Sequence, residues 1–357
     1  MDLAGASGGK GGVNVEGAEP GGITVFGGGG WGTALAVHLS GRGQKVALWV
    51  REPDVAEEMS RDRVNGRFLP GVHLPDGIRV INDLAEAAGL GSRMVVIAVP
   101  THGIRGVLEK IGRKRRDDLV AVSVAKGFEV ETLKRPSEVV SEVLGLDPGS
   151  VCVLSGPSHA EEVGRTVPTA IVAASTNPKT AIRVQEAFFS PRFRVYTHTD
   201  TLGVELGGAL KNVIAVACGI GDGLGFGDNT RAVLMTRGLA EMTRLGMAMG
   251  AKRETFQGLA GLGDLIVTCG SELSRNRALG KRIGRGEKLS DILAGMTQVA
   301  EGVRASQAAV KLATSRKVSM PISQQVYAVL FEGRPVLEAL DGLLSRGMRP
   351  EEDGEAR

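Results

Sequence analysis

Apolar positions in this chain follow two regimes. Up to about residue 199 they come as short unbroken runs, at 23–26, 45–50, 79–81, 94–99, 119–124, 151–154, 168–174 and 193–196. Runs without alternation suit parallel strands covered on both faces, and stretches of helical spacing from Thr33, Asp83 and Pro178 lie between some of them. From residue 200 to about Leu344 the period is helical nearly throughout, with breaks expected at 219–227, 261–263, 284–286 and Pro321. The pattern predicts an α/β domain over 22–199 followed by an all-α domain over 200–346. Residues 1–21, rich in Gly, and 347–357, rich in Glu, have too few apolar positions to offset the entropy of ordering and are expected to be disordered.

The first strand run leads straight into Gly27-x-Gly29-x-x-Gly32 and then into helix-forming residues from Thr33. Strand, glycine turn and helix in this order form the turn of a Rossmann-type dinucleotide-binding domain. Gly27 permits the tight turn, Gly29 admits a pyrophosphate close to the backbone, and Gly32 lets the helix pack on the strand. The helix start offers its N–H groups and dipole to the phosphates. In a chain of 52 glycines the spacing alone would be weak, and its placement gives it value. The next strand run ends in Arg51 and Glu52, where such folds meet the adenosine ribose. Glu52 could accept from the ribose diol and Arg51 could pair with a 2′-phosphate, so NAD and NADP both stay open.

Composition narrows the partners. Across 357 residues, 42% hydrophobic content can build two cores, and 43 Lys and Arg against 40 Asp and Glu leave a net charge of only +3. No field favouring nucleic acid or a membrane surface results, and no apolar run reaches the roughly twenty residues of a bilayer span. A cytoplasmic protein is expected. Cys152, Cys218 and Cys269 are far apart, without metal-ligand spacing, and read as reduced core thiols; no metal is expected.

Other chemistry gathers at strand ends and in one apolar helix. His102 follows the run at 94–99, Lys126 and Gly127 follow that at 119–124, and Ser155, Gly156, Pro157, Ser158 and His159 follow that at 151–154. Open α/β sheets place ligands at these carboxyl ends. Lys211 stands within an apolar helical stretch, where burial would lower its pKa toward a range useful for proton transfer. Further on, Asp264 precedes Ser274, Arg275 and Asn276, and an arginine at a helix start could hold a phosphate.

Taken together these segments resemble the bacterial NAD(P)-dependent glycerol-3-phosphate dehydrogenase family. The resemblance runs through GGGGWGTALA from Gly27, NGRFLPG from Asn65, SVAKGFE from Ser123, LSGPSHAEE from Leu154, FRVYT from Phe193 and GVELGGALKNVIA from Gly203. It continues through DGLGFGDNTRAVLMTRGLAEM from Asp222, GLGDLIVTC from Gly261, SRNRALG from Ser274, QVAEGV from Gln298 and MPI from Met320. It implies reversible reduction of dihydroxyacetone phosphate to sn-glycerol 3-phosphate with NAD or NADP, feeding phospholipid synthesis. It further implies Lys211 as the catalytic proton carrier and Lys126, Gly156, Ser158, Lys211, Asp264, Ser274, Arg275 and Asn276 as substrate-binding residues. Gly27, Gly29, Gly30, Trp31, Gly32, Arg51, Lys126, Ala160, Arg275, Val299 and Glu301 are the implied cofactor contacts, and a homodimer is expected.

Two positions depart from the family pattern. Gly30 stands where the family usually has Ser, and Glu52 stands where a basic residue often follows Arg51. The readings weighed against this one are a 3-hydroxyacyl-CoA or 6-phosphogluconate type dehydrogenase and a non-catalytic redox sensor. A sensor would have no need of Lys211 or of a second phosphate pocket, and the SRNR and GLGD segments favour a small phosphorylated ketone.

Overall fold

The strands follow one another as β1 (Ile23–Phe26), β2 (Val46–Trp49), β3 (Val64–Asn65), β4 (Leu69–His73), β5 (Ile78–Ile81), β6 (Met94–Ile97), β7 (Val120–Ser123), β8 (Val151–Ser155), β9 (Thr169–Ala174) and β10 (Phe193–His198). They belong to a computed structural model that describes residues 22–113, 118–296, 300–348 and 350–351. Val299, the segment 1–21 and the end of the acidic tail lie outside those residues. The small ribbon β3–β4 had no signal in the apolar pattern, because its alternating positions are short and interrupted by Gly66 and Pro70.

Eight strands form one sheet in the order β10-β9-β8-β7-β6-β1-β2-β5. Strand order reverses at β1, which pairs in parallel with β2 on one side and β6 on the other. The crevice beyond the carboxyl ends of β1 and β6 is therefore the topological switch point, where doubly wound sheets take ligands. Apolar side chains on the two faces of the sheet fill separate cores, one around Val25, Leu35 and Val96, the other around Phe26, Ile97 and Leu108.

One pairing differs from the parallel expectation, since β9 runs antiparallel to β8. A parallel return needs a crossover of a dozen or more residues, usually a helix laid on the sheet. Here the connection carries only the five-residue helix Ala160–Gly164, which packs instead against the first helix, Gly30–Gly41. The chain thus re-enters the sheet from the opposite end. A full helix, Pro178–Phe188, then restores parallel pairing between β9 and β10.

The helical part begins at helix Thr201–Gly223, three residues after β10 ends. Asp200 caps it by accepting from Gly203 N at 2.9 Å, and its second oxygen takes Lys252 N at 2.9 Å and Thr255 Oγ1 at 2.6 Å. Losing an N-cap of this kind costs about 1 kcal/mol, before the loss of the other two bonds. The helix is long and apolar enough to cross a bilayer by composition, but 94% of its apolar window is buried by neighbouring helices, as a core helix requires.

The break expected at 219–227 comes late, and the helix continues through Gly219 and Gly221 to Gly223. Tertiary packing supplies the reason. A Cβ at residue 219 would stand 2.1 Å from the Arg277 carbonyl oxygen, and one at residue 280 would stand 2.2 Å from that of Val216. The helix and its partner Arg275–Gly284 therefore cross main chain against main chain, which offsets the roughly 1 kcal/mol that a mid-helix glycine costs. The helical part is also tied to the α/β part by Glu205, a buried carboxylate that accepts from Ser137 N at 2.9 Å, Ser137 Oγ at 2.7 Å and Arg135 Nη1 at 2.8 Å at the start of the helix Pro136–Leu144.

Candidate active site

The glycine turn is shaped by close backbone approach. Gly27 has φ +122°, and a Cβ there would lie 2.6 Å from the Ala98 carbonyl oxygen; at Gly32 it would lie 1.9 Å from that of Gly27. A Cβ at Gly29 would meet nothing within 4 Å, so this face of the turn is open to a ligand. Asn65, wholly buried, braces the turn by donating to Gly28 O at 2.9 Å and Thr33 Oγ1 at 2.8 Å, a support the sequence pattern did not single out. The glycine at position 30 has a local cause too: a Cβ would meet the Phe68 carbonyl oxygen at 2.7 Å, so the serine that the family resemblance implies here would need that carbonyl to shift.

The residues present fit a dinucleotide. Trp31 Nε1, Thr101 Oγ1 and Glu301 Oε2 are buried without hydrogen-bond partners among the described residues, which is the condition a polar ligand would relieve. Glu301 Oε1 accepts from Thr101 N at 3.2 Å and so joins the helix Glu301–Arg316 to the strand end after β6. Burial pushes the Glu301 carboxyl above its ordinary pKa. At the ribose end of the crevice Arg51 and Glu52 bind each other, with Nε to Oε1 at 3.0 Å, and the arginine is 76% exposed. The two side chains left as alternatives are thus one pair, which a 2′-phosphate would have to open.

Across the crevice two lysines converge on one carboxylate. Lys126, three residues past β7, donates through Nζ to Gly156 O at 2.8 Å, Ser158 Oγ at 3.2 Å and Asp264 Oδ2 at 2.8 Å. Lys211 Nζ donates to Asp264 Oδ1 and to Thr268 Oγ1, both at 2.6 Å. Asp264 follows a π-helical turn, Leu259–Gly263, and is 1% exposed. Burial lowers the Lys211 pKa to about 8; Asp264 opposes that shift and the Lys126 charge adds to it. Gly156, with φ +136°, lets the loop after β8 bring its carbonyl onto Lys126. Thr268 escaped the sequence reading, although it lies one helical turn beyond Asp264 and so on the same face.

The remaining predicted residues fall close by, with different engagements. Asn276 is buried, donating to Asn212 Oδ1 at 2.9 Å and accepting from Gly302 N at 2.9 Å, which leaves one amide N–H for a ligand. Ser274 caps its helix, accepting from Arg277 N at 3.3 Å. Arg275 lies in the field of Glu301 and Glu161. Ala160 stands beside Gly30, 3.6 Å from where its Cβ would be. The two histidines part company: His102 is exposed near Arg51 and Arg304, whereas His159 lies near Lys211 and Lys126. All three cysteines are buried free thiols, and the described residues contain no cluster of three metal-ligating side chains.

A switch-point crevice with an open glycine turn on one wall and a buried lysine of lowered pKa on the other defines a two-domain, dinucleotide-dependent oxidoreductase. Comparison with known proteins narrows the class. Residues 22–181 match the family described as NAD-dependent glycerol-3-phosphate dehydrogenase N-terminus, and residues 200–341 match the corresponding C-terminus. The chain belongs to the NAD-dependent glycerol-3-phosphate dehydrogenase family. It is 50% identical over 330 residues to glycerol-3-phosphate dehydrogenase [NAD(P)+] of Prosthecochloris aestuarii, covering 92% of this chain and 99% of the relative. It is likewise 50% identical to the enzyme of that name from Thermoanaerobacter sp., covering 93% and 99%. Among solved structures, glycerol-3-phosphate dehydrogenase of Coxiella burnetii superposes with a TM-score of 0.87 at 38% identity, covering 92% of this chain and 99% of that one.

Proposed function

We infer that this protein interconverts dihydroxyacetone phosphate and sn-glycerol 3-phosphate by NAD(P)-dependent hydride transfer. The observation that carries the reading, beside family membership, is Asp264 bridging Lys126 and Lys211 opposite the glycine turn. When bound, the dihydronicotinamide supplies the hydride; the rest of the chemistry belongs to side chains. As the carbonyl carbon is reduced, negative charge grows on its oxygen, and the Lys211 ammonium stabilises that charge and delivers the proton. Asp264 keeps the ammonium aimed and favours its charged form, while Thr268 takes a second N–H and leaves the third for the substrate.

In this reading Lys126, held by the loop carrying Gly156 and Ser158, spans cofactor and substrate. Arg275 holds the phosphate with the spare N–H of Asn276, and Ser274 acts through the helix start it caps. Gly27, Gly29, Gly30, Trp31, Gly32, Arg51, Ala160 and Glu301 are the proposed cofactor contacts, together with Val299, which lies outside the described residues. The division at residues 199 and 200, the cytoplasmic location and a homodimer are likewise our proposals. Val233, Met247 and Ile266, exposed on the helical part, are candidates for the dimer contact, and light scattering would measure its stoichiometry. The functional test is direct: purified protein with dihydroxyacetone phosphate should oxidise NADH or NADPH, followed by absorbance, and inertness with both cofactors would overturn the reading.

A further inference from the structure

The loop that grips Lys126 ends in a side chain with no part in the chemistry so far. Gly156 O and Ser158 Oγ accept from Lys126, and the next residue, His159, begins the helix Ala160–Gly164. Its Nε2 is closed to solvent and has no hydrogen-bond partner among the described residues. Burial, and then the charges of Lys211 and Lys126, hold its pKa below the ordinary value, with Glu161 and Glu162 opposing in part. The imidazole is therefore neutral near pH 7, with one ring nitrogen to donate and one to accept. A buried polar atom left unpaired is costly unless a ligand completes it.

We propose that His159 Nε2 hydrogen-bonds the terminal hydroxymethyl group of the three-carbon substrate, and thereby selects ketones that carry a hydroxyl beside the carbonyl. The inference rests on the reading above, in which Lys211 meets the carbonyl oxygen and Arg275 the phosphate. With the phosphate drawn toward the helical wall, the other end of so short a molecule projects past Lys211 toward the loop after β8. His159 stands there, in the field of both lysines. A hydroxyl both donates and accepts, so it can satisfy either imidazole tautomer. Ser155 Oγ is also unpartnered, but it belongs to β8 itself and faces the main chain of the lysine helix at Gly208, 2.9 Å from where a Cβ there would sit.

The test compares dihydroxyacetone phosphate with hydroxyacetone phosphate, in which a methyl replaces the hydroxymethyl group. The wild-type protein should prefer the hydroxylated ketone in kcat/KM by about a hundredfold or more, because a site built for a hydroxyl rejects its absence. His159→Phe should lose about tenfold to a hundredfold on dihydroxyacetone phosphate and change within about twofold on the methyl ketone, collapsing the preference. His159→Gln, which keeps a hydrogen-bonding group, should recover part of it. An equal loss on both ketones in both variants, or no loss on the hydroxylated one, would overturn the assignment. If the wild-type protein reduced neither ketone, the functional reading itself would fail before any variant was compared, and this inference with it.

Discussion

Replacing Asp264 by Asn removes the one carboxylate that both lysines share while keeping its size. In the native site burial lowers Lys211 to about 8, and Asp264 works against that shift. Without the carboxylate's charge, burial and the Lys126 charge meet far less opposition, so the Lys211 pKa falls further. An opposite charge at hydrogen-bond distance is worth about 1–3 pKa units, and a fall of about 1.5 units would place the lysine near 6.5. At about pH 7.5 the protonated fraction would then drop from roughly three quarters to roughly one tenth. Ketone reduction needs the ammonium, so its rate is present below the pKa and lost as pH rises through it; alcohol oxidation needs the amine and rises through the same pKa. Asp264→Asn should therefore lower the reduction rate about eightfold at pH 7.5 from protonation alone, with the gap closing toward about pH 5.5, while the oxidation profile moves to lower pH. Rates in both directions over a pH series, with cofactor and substrate saturating, measure this. A variant whose profiles merely scale down, with their inflections where the wild type has them, would refute the claim that Asp264 tunes Lys211.

Lys211→Met should cost at least about a hundredfold in kcat while leaving NADH affinity within a few fold, read by turnover and by fluorescence titration. Arg275→Ala should raise the Michaelis constant for dihydroxyacetone phosphate steeply, since losing a charge-assisted phosphate contact costs about 2–4 kcal/mol; an unchanged constant would put the phosphate elsewhere. Arg51→Ala should weaken NADPH more than NADH, and Glu52→Gln, by releasing Arg51 from its pair, should favour NADPH; equal effects on both cofactors would remove Arg51 from the 2′-phosphate.

Legibility from sequence tracks how local each cause is. The strands around the crevice could be read because a strand buried on both faces leaves an unbroken apolar run, and the glycine turn because strand and helix flank it directly. Strand direction leaves no such mark, so the reversal at β9 could not be read from the apolar runs; the connection before it is long enough for a crossover but carries only a five-residue helix. The continuation of a helix through Gly219 and Gly223 was misjudged because glycine looks like a stop until the opposing backbone is known. In the site, Lys126, Lys211 and Asp264 could each be singled out, but their meeting joins segments separated by 53 and 138 positions, which only the fold brings together. Thr268 was within reach through its helical spacing from Asp264. The roles of Asn65 and Glu205 were not, since their partners lie in other elements, 32 to 37 positions away for Asn65 and 68 to 70 for Glu205.

The glycine seam between helices Thr201–Gly223 and Arg275–Gly284 works as a locked calliper. One jaw carries Lys211, the other begins at Arg275, and at Gly219 and Gly280 their closest approach is main chain against main chain, with no rotamer there to change and no side chain to trim. A close-packed joint of this kind does not open gradually to admit a longer ketone. Changing the gauge would take a side chain at one of these glycines, which would force the two main chains apart, so descendants of this sequence could alter what they recognise at the rim far more readily than the length of what they hold.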